Sequence, residues 1–144
     1  MKYVVGFLFD ESVNNVALIK KIKPKWQNGL LNGIGGKIED GETPLEAIVR
    51  ELYEESGAKT SKESLTHFCN MSGTNNDGSD FEIDFFFGYY NLNSLITKTE
   101  EQIEIHCVED VRKLKTIGNI TWLVALAEDF LKGNYPPKFV TVKY

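Results

Sequence analysis

What this chain has little of narrows its class first. Two cysteines, Cys69 and Cys107, occur in 144 residues. They stand far apart, with no Cys or His partner at metal-ligand spacing, which argues against a disulfide framework or a zinc site. Both fall in apolar, strand-like stretches and are expected as buried free thiols. Positive charge is also short: 16 Lys and Arg against 21 Asp and Glu give a net charge of -5. Such a chain cannot neutralise a run of phosphates, so a nucleic-acid polymer is not the expected partner. A small anionic ligand held through a metal ion remains open. No apolar run reaches membrane-spanning length, so no membrane association is expected. The opening MKYVVGFLF is too short for a signal-peptide core, and no small-residue cleavage site follows it. A reducing, cytoplasmic compartment is the expectation. Repeats, low-complexity tracts and linkers are absent as well, so residues 1–144 read as a single domain, either monomer or homodimer.

What is present is 42% hydrophobic residues arranged in short periodic runs. Residues 3–9 read as a buried strand, and 13–20 as its hairpin partner across an Asp-Glu-Ser turn. Residues 24–36 are loop-rich, with Pro24, Gly29, Gly33, Gly35 and Gly36. Residues 44–56 read as a helix. Strands at 65–72 and 81–90 flank the polar turn GTNNDGSD, and apolar residues at 81, 83, 85, 87 and 89 predict one buried face for the second. A strand at 102–108 is expected to turn Ile103, Ile105 and Cys107 inward. A helix at 119–132 ends at Gly133, and a short strand at 138–143 follows. The order β-β-α-β-β-β-α-β does not alternate as βαβ units do. It predicts an α+β fold, an α/β/α sandwich in which a mixed sheet carries a helix on each face.

The helix at 44–56 is specified in detail. Thr43 and Glu46 have the spacing of a capping box, Pro44 occupies the first helical position, and Gly57 supplies the left-handed residue that ends it. Leu45, Ile48, Val49 and Leu52 form the core-facing stripe. Glu51, Glu54 and Glu55 gather on another face three and four residues apart, where neighbours sit about 5–6 Å from each other. Like charges there repel, and they lie too far along the helix for its N-terminal dipole to compensate. A hard divalent cation would stabilise them; Mg²⁺ takes oxygen ligands and keeps waters for a substrate's phosphates. Arg50, the helix's lone cation, has Glu54 at i,i+4 and the preceding loop within reach. A glycine carbonyl of that loop can add a further oxygen ligand.

Gly36, Glu42, Arg50, Glu51, Glu54, Glu55 and Gly57 stand at the spacing of the Nudix box, and the chain resembles the Nudix hydrolase family, MutT-like members included. At average residue frequencies, such a match by chance is about one in a million or rarer. Ala58 departs from the family's larger aliphatic residue but touches no chemistry. The resemblance implies hydrolysis of a nucleoside diphosphate linked to another group X, with Mg²⁺ as cofactor and Mn²⁺ as a substitute. It makes Glu54 and Glu55 the main metal ligands, completed by Glu51 and the Gly36 carbonyl, with Arg50 holding these carboxylates. Glu42 is expected to anchor the loop. Glu101, just before the 102–108 strand, matches the acid that reaches the metal site in MutT-type members, which makes it a further candidate metal ligand and the candidate general base. A solvent-exposed acidic turn is the alternative for it. His67 and His106 are expected to take no catalytic part.

For the substrate, the stretch Leu31 to Lys37 resembles the corresponding segment of mammalian-type 8-oxo-dGTP diphosphatases. This implies base contact by Asn32. Lys37 is a candidate phosphate contact or a plain solvated lysine. Asn119 is a second candidate base reader, since an amide both donates and accepts, or else a plain N-cap. Trp122 or an aromatic of the 81–90 strand can stack on a base or belong to the core. The expected substrate is a (deoxy)nucleoside triphosphate, oxidised purines among them, cleaved to the monophosphate and pyrophosphate. An ADP-sugar or dinucleoside polyphosphate hydrolase is the alternative. So are a silent nucleotide-binding Nudix domain and an unrelated acidic calcium module, although the 73–80 segment lacks EF-hand spacing.

Overall fold

A computed structural model describes residues 1–144. The chain forms β1 (Lys2–Phe9), β2 (Asn15–Lys20), β3 (Leu31–Asn32), β4 (Ile34–Lys37), α1 (Pro44–Ser56), β5 (Thr66–Thr74), β6 (Asp80–Tyr89), β7 (Gln102–Cys107), α2 (Ile120–Leu131) and β8 (Val140–Lys143), with short 3-10 turns between. One mixed sheet runs β3-β2-β1-β6-β5-β8, with β4 added to β1 and β7 added to β2. β1 is parallel to β6 and β5 is parallel to β8, while the other pairs are antiparallel.

Each face of the sheet carries a core. On one, Ile48 and Leu52 of α1 pack with Val4, Leu8, Ile19, Ile34 and Phe86. On the other, Leu123, Val124 and Ala127 of α2 pack with Phe7, Phe9, Phe68, Phe85 and Phe87. The expected α/β/α sandwich is therefore the observed one. Ala58 is fully buried on the α1 side.

Several expectations need correction. The 24–36 stretch is not only loop: β3 and β4 lie in it, because β1 offers its edge to β4 from Tyr3 to Gly6 and to β2 only at Leu8 and Phe9. The second strand begins at Asn15 rather than 13, since Val13 turns through a positive φ of 58°. β6 is buried on both faces over Asp84–Gly88, being central in the sheet. In β7 the inward alternation holds for Ile103 alone, which packs on the α1-side core. Ile105 is 44% exposed and Cys107 is exposed, so only Cys69 is a buried thiol. The reason is topological: β7 pairs with β2 alone, and the buried set of neither core extends to Ile105 or Cys107.

α1 forms as its sequence predicts. Thr43 Oγ1 accepts the Glu46 N–H, the Glu46 carboxylate accepts the Thr43 N–H, and Gly57 closes the helix at φ 73°. A Cβ added at Gly57 would also lie 3.3 Å from Ile96. Gly57→Val should therefore lower stability by about 1 kcal/mol or more, measured by thermal or denaturant unfolding; an unchanged melting curve would contradict this helix ending.

Candidate active site

The site is built where α1 crosses β4. β4 pairs with β1, placing Gly36 opposite Val4 and directly beneath α1. A Cβ at Gly36 would lie 2.5 Å from Glu51 Oε1, so only glycine lets this carboxylate rest on the strand backbone. Glu51 is thus set against the Gly36 peptide, while Glu55, one turn on, accepts the Gly35 N–H at 3.2 Å.

Arg50 organises the rest, with all five of its N–H donors engaged. Nε gives 2.6 Å to Glu42 Oε1, and Nη2 gives 2.9 Å to Glu42 Oε2 and 3.0 Å to the Lys37 carbonyl. Nη1 gives 2.7 Å to Glu51 and 3.1 Å to Glu54. Both reaches open to Arg50 in the sequence, to Glu54 and back to the loop, are made at once. Glu42 anchors the loop as expected, accepting the Glu39 N–H at 3.0 Å. Arg50 and that N–H hold its carboxyl down to about 2.

The carboxylates differ in environment. Burial pushes Glu51 above the ordinary carboxylate range despite Arg50. Burial pushes Glu55 further, to about 7, opposed by the Lys21 charge and reinforced by Glu51 and Glu101. Glu54 is the exposed member, with 54% of its side chain accessible. No three His, Cys, Asp or Glu side chains converge as a ready metal-ligand cluster, because Arg50 draws Glu51 and Glu54 to itself. The donor set nonetheless fits a hard divalent cation. It is all oxygen, and Glu55 is a half-buried carboxylate with one long amide contact and two acidic neighbours, which a cation would neutralise.

Glu101 lies close enough for its charge to act on Glu55, but its oxygens are taken. Oε1 accepts Lys21 Nζ at 2.6 Å, and Oε2 accepts the Ile22 and Lys23 N–H groups at 2.6 and 3.2 Å. Burial raises its pKa, and these partners more than offset that, holding it below the ordinary value. As it stands Glu101 fastens the 21–23 segment, and it must release Lys21 before it can take a proton. Lys21 was not visible as a site residue in the sequence; its partner is 80 positions away.

Lys37 is exposed. Asn32 is half-buried, and its Oδ1 accepts the Gly33 N–H at 2.8 Å. Its neighbour Leu31 bonds through its backbone to Lys115 and Ile117, so the segment leading into α2 runs beside Asn32. Asn119 occupies the N-cap position at φ 77° without a side-chain cap bond; its amide instead meets Trp122, Tyr144 and Met71. Trp122 packs against the α2-side core. His67 pairs with Asp84 at 2.8 Å and His106 with Glu104 at 2.8 Å, and neither histidine bonds to an α1 carboxylate.

The family model of the NUDIX domain matches residues 2–124. The chain belongs to the Nudix family. A MutT protein from Bacillus halodurans superposes with a TM-score of 0.73 at 20% identity, covering 99% of this chain and 89% of that one. The NUDIX domain of Shewanella oneidensis NrtR, crystallised with ADP ribose, gives 0.77 at 15% identity over 91% and 88%. A NUDIX-family hydrolase from Clostridium perfringens gives 0.69 at 18% over 90% and 97%. At these identities the likeness is one of fold. The protein is a Nudix hydrolase, of the class that acts on nucleoside diphosphates linked to a further group. No helix of this Nudix chain is long and apolar enough to cross a membrane.

The Glu55 environment has a measurable consequence. Its folded pKa of about 7 lies above the ordinary 4.5, so folding favours the protonated acid. Its contribution is full below about pH 4.5 and is lost as pH rises through about 7. In EDTA, Glu55→Gln should flatten the fall in melting temperature between about pH 5 and 8, the range in which a group of pKa about 7 gains its charge. Added Mg²⁺ should stabilise the wild type more than the variant. Identical pH profiles for the two proteins would contradict the assigned environment.

Proposed function

We propose that this Nudix hydrolase is a Mg²⁺-dependent pyrophosphohydrolase of purine (deoxy)nucleoside triphosphates, oxidised ones included. Water is consumed, one phosphoanhydride bond breaks, and the products are the monophosphate and pyrophosphate. Mn²⁺ substitutes for Mg²⁺. The observation that carries the reading is the half-buried Glu55, bonded only to the Gly35 N–H, beside Glu51, itself seated on Gly36.

Glu51, Glu54, Glu55 and the Gly36 carbonyl would hold the cation. When bound, it neutralises polyphosphate charge and makes water a better nucleophile at neutral pH. Arg50 holds Glu51 and Glu54 in orientation and fixes the loop through Glu42 and the Lys37 carbonyl. Lys37, exposed at the end of β4, is free to meet phosphate oxygens. Glu101 is the proton acceptor in this proposal once Lys21 moves to the incoming anion. Asn32 keeps its two Nδ2 hydrogens without a protein partner and addresses the base. Asn119 is the second base-reading group. The likeness to the ADP-ribose-bound NrtR domain favours ADP-ribose as a second reading.

Glu54→Gln should lower turnover by a factor of about 10³ with the fold intact; activity within about tenfold of wild type would remove Glu54 from the ligand set. Substrate choice is tested by kcat/KM for 8-oxo-dGTP, dGTP, dATP, dCTP, ADP-ribose and a dinucleoside polyphosphate, with wild type and Asn32→Ala. Purine triphosphates should lead, and Asn32→Ala should blunt the base preference. A higher rate on ADP-ribose or the dinucleotide, or an unaltered preference in Asn32→Ala, would overturn the substrate assignment.

A further inference from the structure

The structure assigns Tyr144 a part in base selection, an inference that rests on Asn119 being a base-reading group as proposed above. Trp122 Nε1 lies 2.8 Å from Asn119 Oδ1. An indole N–H only donates, so the amide oxygen, not its nitrogen, must face Trp122. The Tyr144 hydroxyl is a second donor to that same oxygen, also at 2.8 Å. An amide oxygen has two lone pairs, and both are taken. Nδ2 meets only Met71 Sδ at 3.8 Å, a weak acceptor that a ligand oxygen or ring nitrogen would readily replace. Asn119 is consequently a donor without acceptor capacity.

Tyr144 reaches this position through the strand before it. β8 runs parallel to β5, pairing Cys69–Ser72 with Val140–Lys143, and the Tyr144 N–H continues the ladder to the Ser72 carbonyl at 2.9 Å. Gly73 makes the approach close: a Cβ there would lie 2.9 Å from the Tyr144 Cβ. Both β8 and Tyr144 fall beyond residue 124, outside the stretch matched by the family model.

The chemical consequence is specific. An unconstrained asparagine reads adenine with both ends, Oδ1 accepting from the 6-amino group while Nδ2 donates to N7. With Oδ1 filled, that pair cannot form. A 6-oxo purine shows acceptors at both O6 and N7 and suits a donor-only amide. An oxidised edge carrying a hydrogen at N7 offers Nδ2 only O6, so Asn119 adds no preference for the oxidised form. Tyr144 thereby turns the amide against 6-amino purines.

Binding of dGMP and dAMP by titration calorimetry in EDTA tests this without turnover, using the full chain as wild type, Tyr144→Phe and Asn119→Ala. The wild type should bind dGMP more tightly. Tyr144→Phe, with one lone pair released, should narrow the dGMP-to-dAMP ratio by about fivefold or more, through tighter dAMP. Asn119→Ala should narrow it through weaker dGMP, and serves if Tyr144→Phe does not fold. An unchanged ratio in the folded variants, a wild-type preference for dAMP, or no binding of either nucleotide would overturn the inference. Wild-type hydrolysis of dGTP with a ratio indifferent to Tyr144 would sink this inference and leave the proposed function standing. The expected ratio shift alongside hydrolysis of ADP-ribose alone would do the reverse.

Discussion

The site depends on one guanidinium. Arg50 ties three carboxylates, Glu42 of the loop and Glu51 and Glu54 of α1, and the Lys37 carbonyl at the end of β4 to a single planar group, with its side chain only 21% exposed. Charge-assisted bonds of this kind are among the strong ones, and the bidentate pair with Glu42 adds direction. Without Arg50, Glu42 and Glu51, with side chains 18% and 12% exposed, would be left half-buried and uncompensated. The same contacts lock the loop after β4 to α1, so the carboxylate face of the helix and the Gly36 peptide keep a fixed relation. Helix, loop and strand form one rigid unit around a net acidic centre.

That acidity is retained rather than cancelled. Arg50 compensates Glu42, Glu51 and Glu54, while Glu55 stands apart with its pKa pushed up to about 7. Lys21, the other cation near it, is drawn off by Glu101 at 2.6 Å. A fold selected for stability alone would place a lysine beside Glu55 or an apolar residue in its stead. The arrangement instead leaves a charge deficit that a divalent cation would fill, which is what the proposed metal-dependent hydrolysis requires.

Local patterns were legible and long-range ones were not. The capping box, the Pro44 start, the Gly57 end and the carboxylate spacing on α1 all reside within a few residues of one another, so periodicity and cap chemistry suffice to read them. The layer order followed from the sequence of strand-like and helix-like runs. β3 and β4 escaped because they are two and four residues long and glycine-rich, defined by their partners on β2 and β1 rather than by propensity. On β7 the alternation says which residues share a side, not whether anything covers that side, and nothing covers Ile105 or Cys107. The grip of Lys21 on Glu101, and of Tyr144 on Asn119, joins residues 80 and 25 positions apart, and nothing in either local sequence announces it.

Arg50 would orient the ligands of the proposed cation site without touching the cation. Mn²⁺ titration monitored by electron paramagnetic resonance, with wild type and Arg50→Met of equal secondary structure, tests it directly. The wild type should bind Mn²⁺, and the substitution should lower the affinity by about 10–100-fold, the range expected for a residue that orients ligands. Equal Mn²⁺ affinity in the two proteins, or none in the wild type, would contradict it.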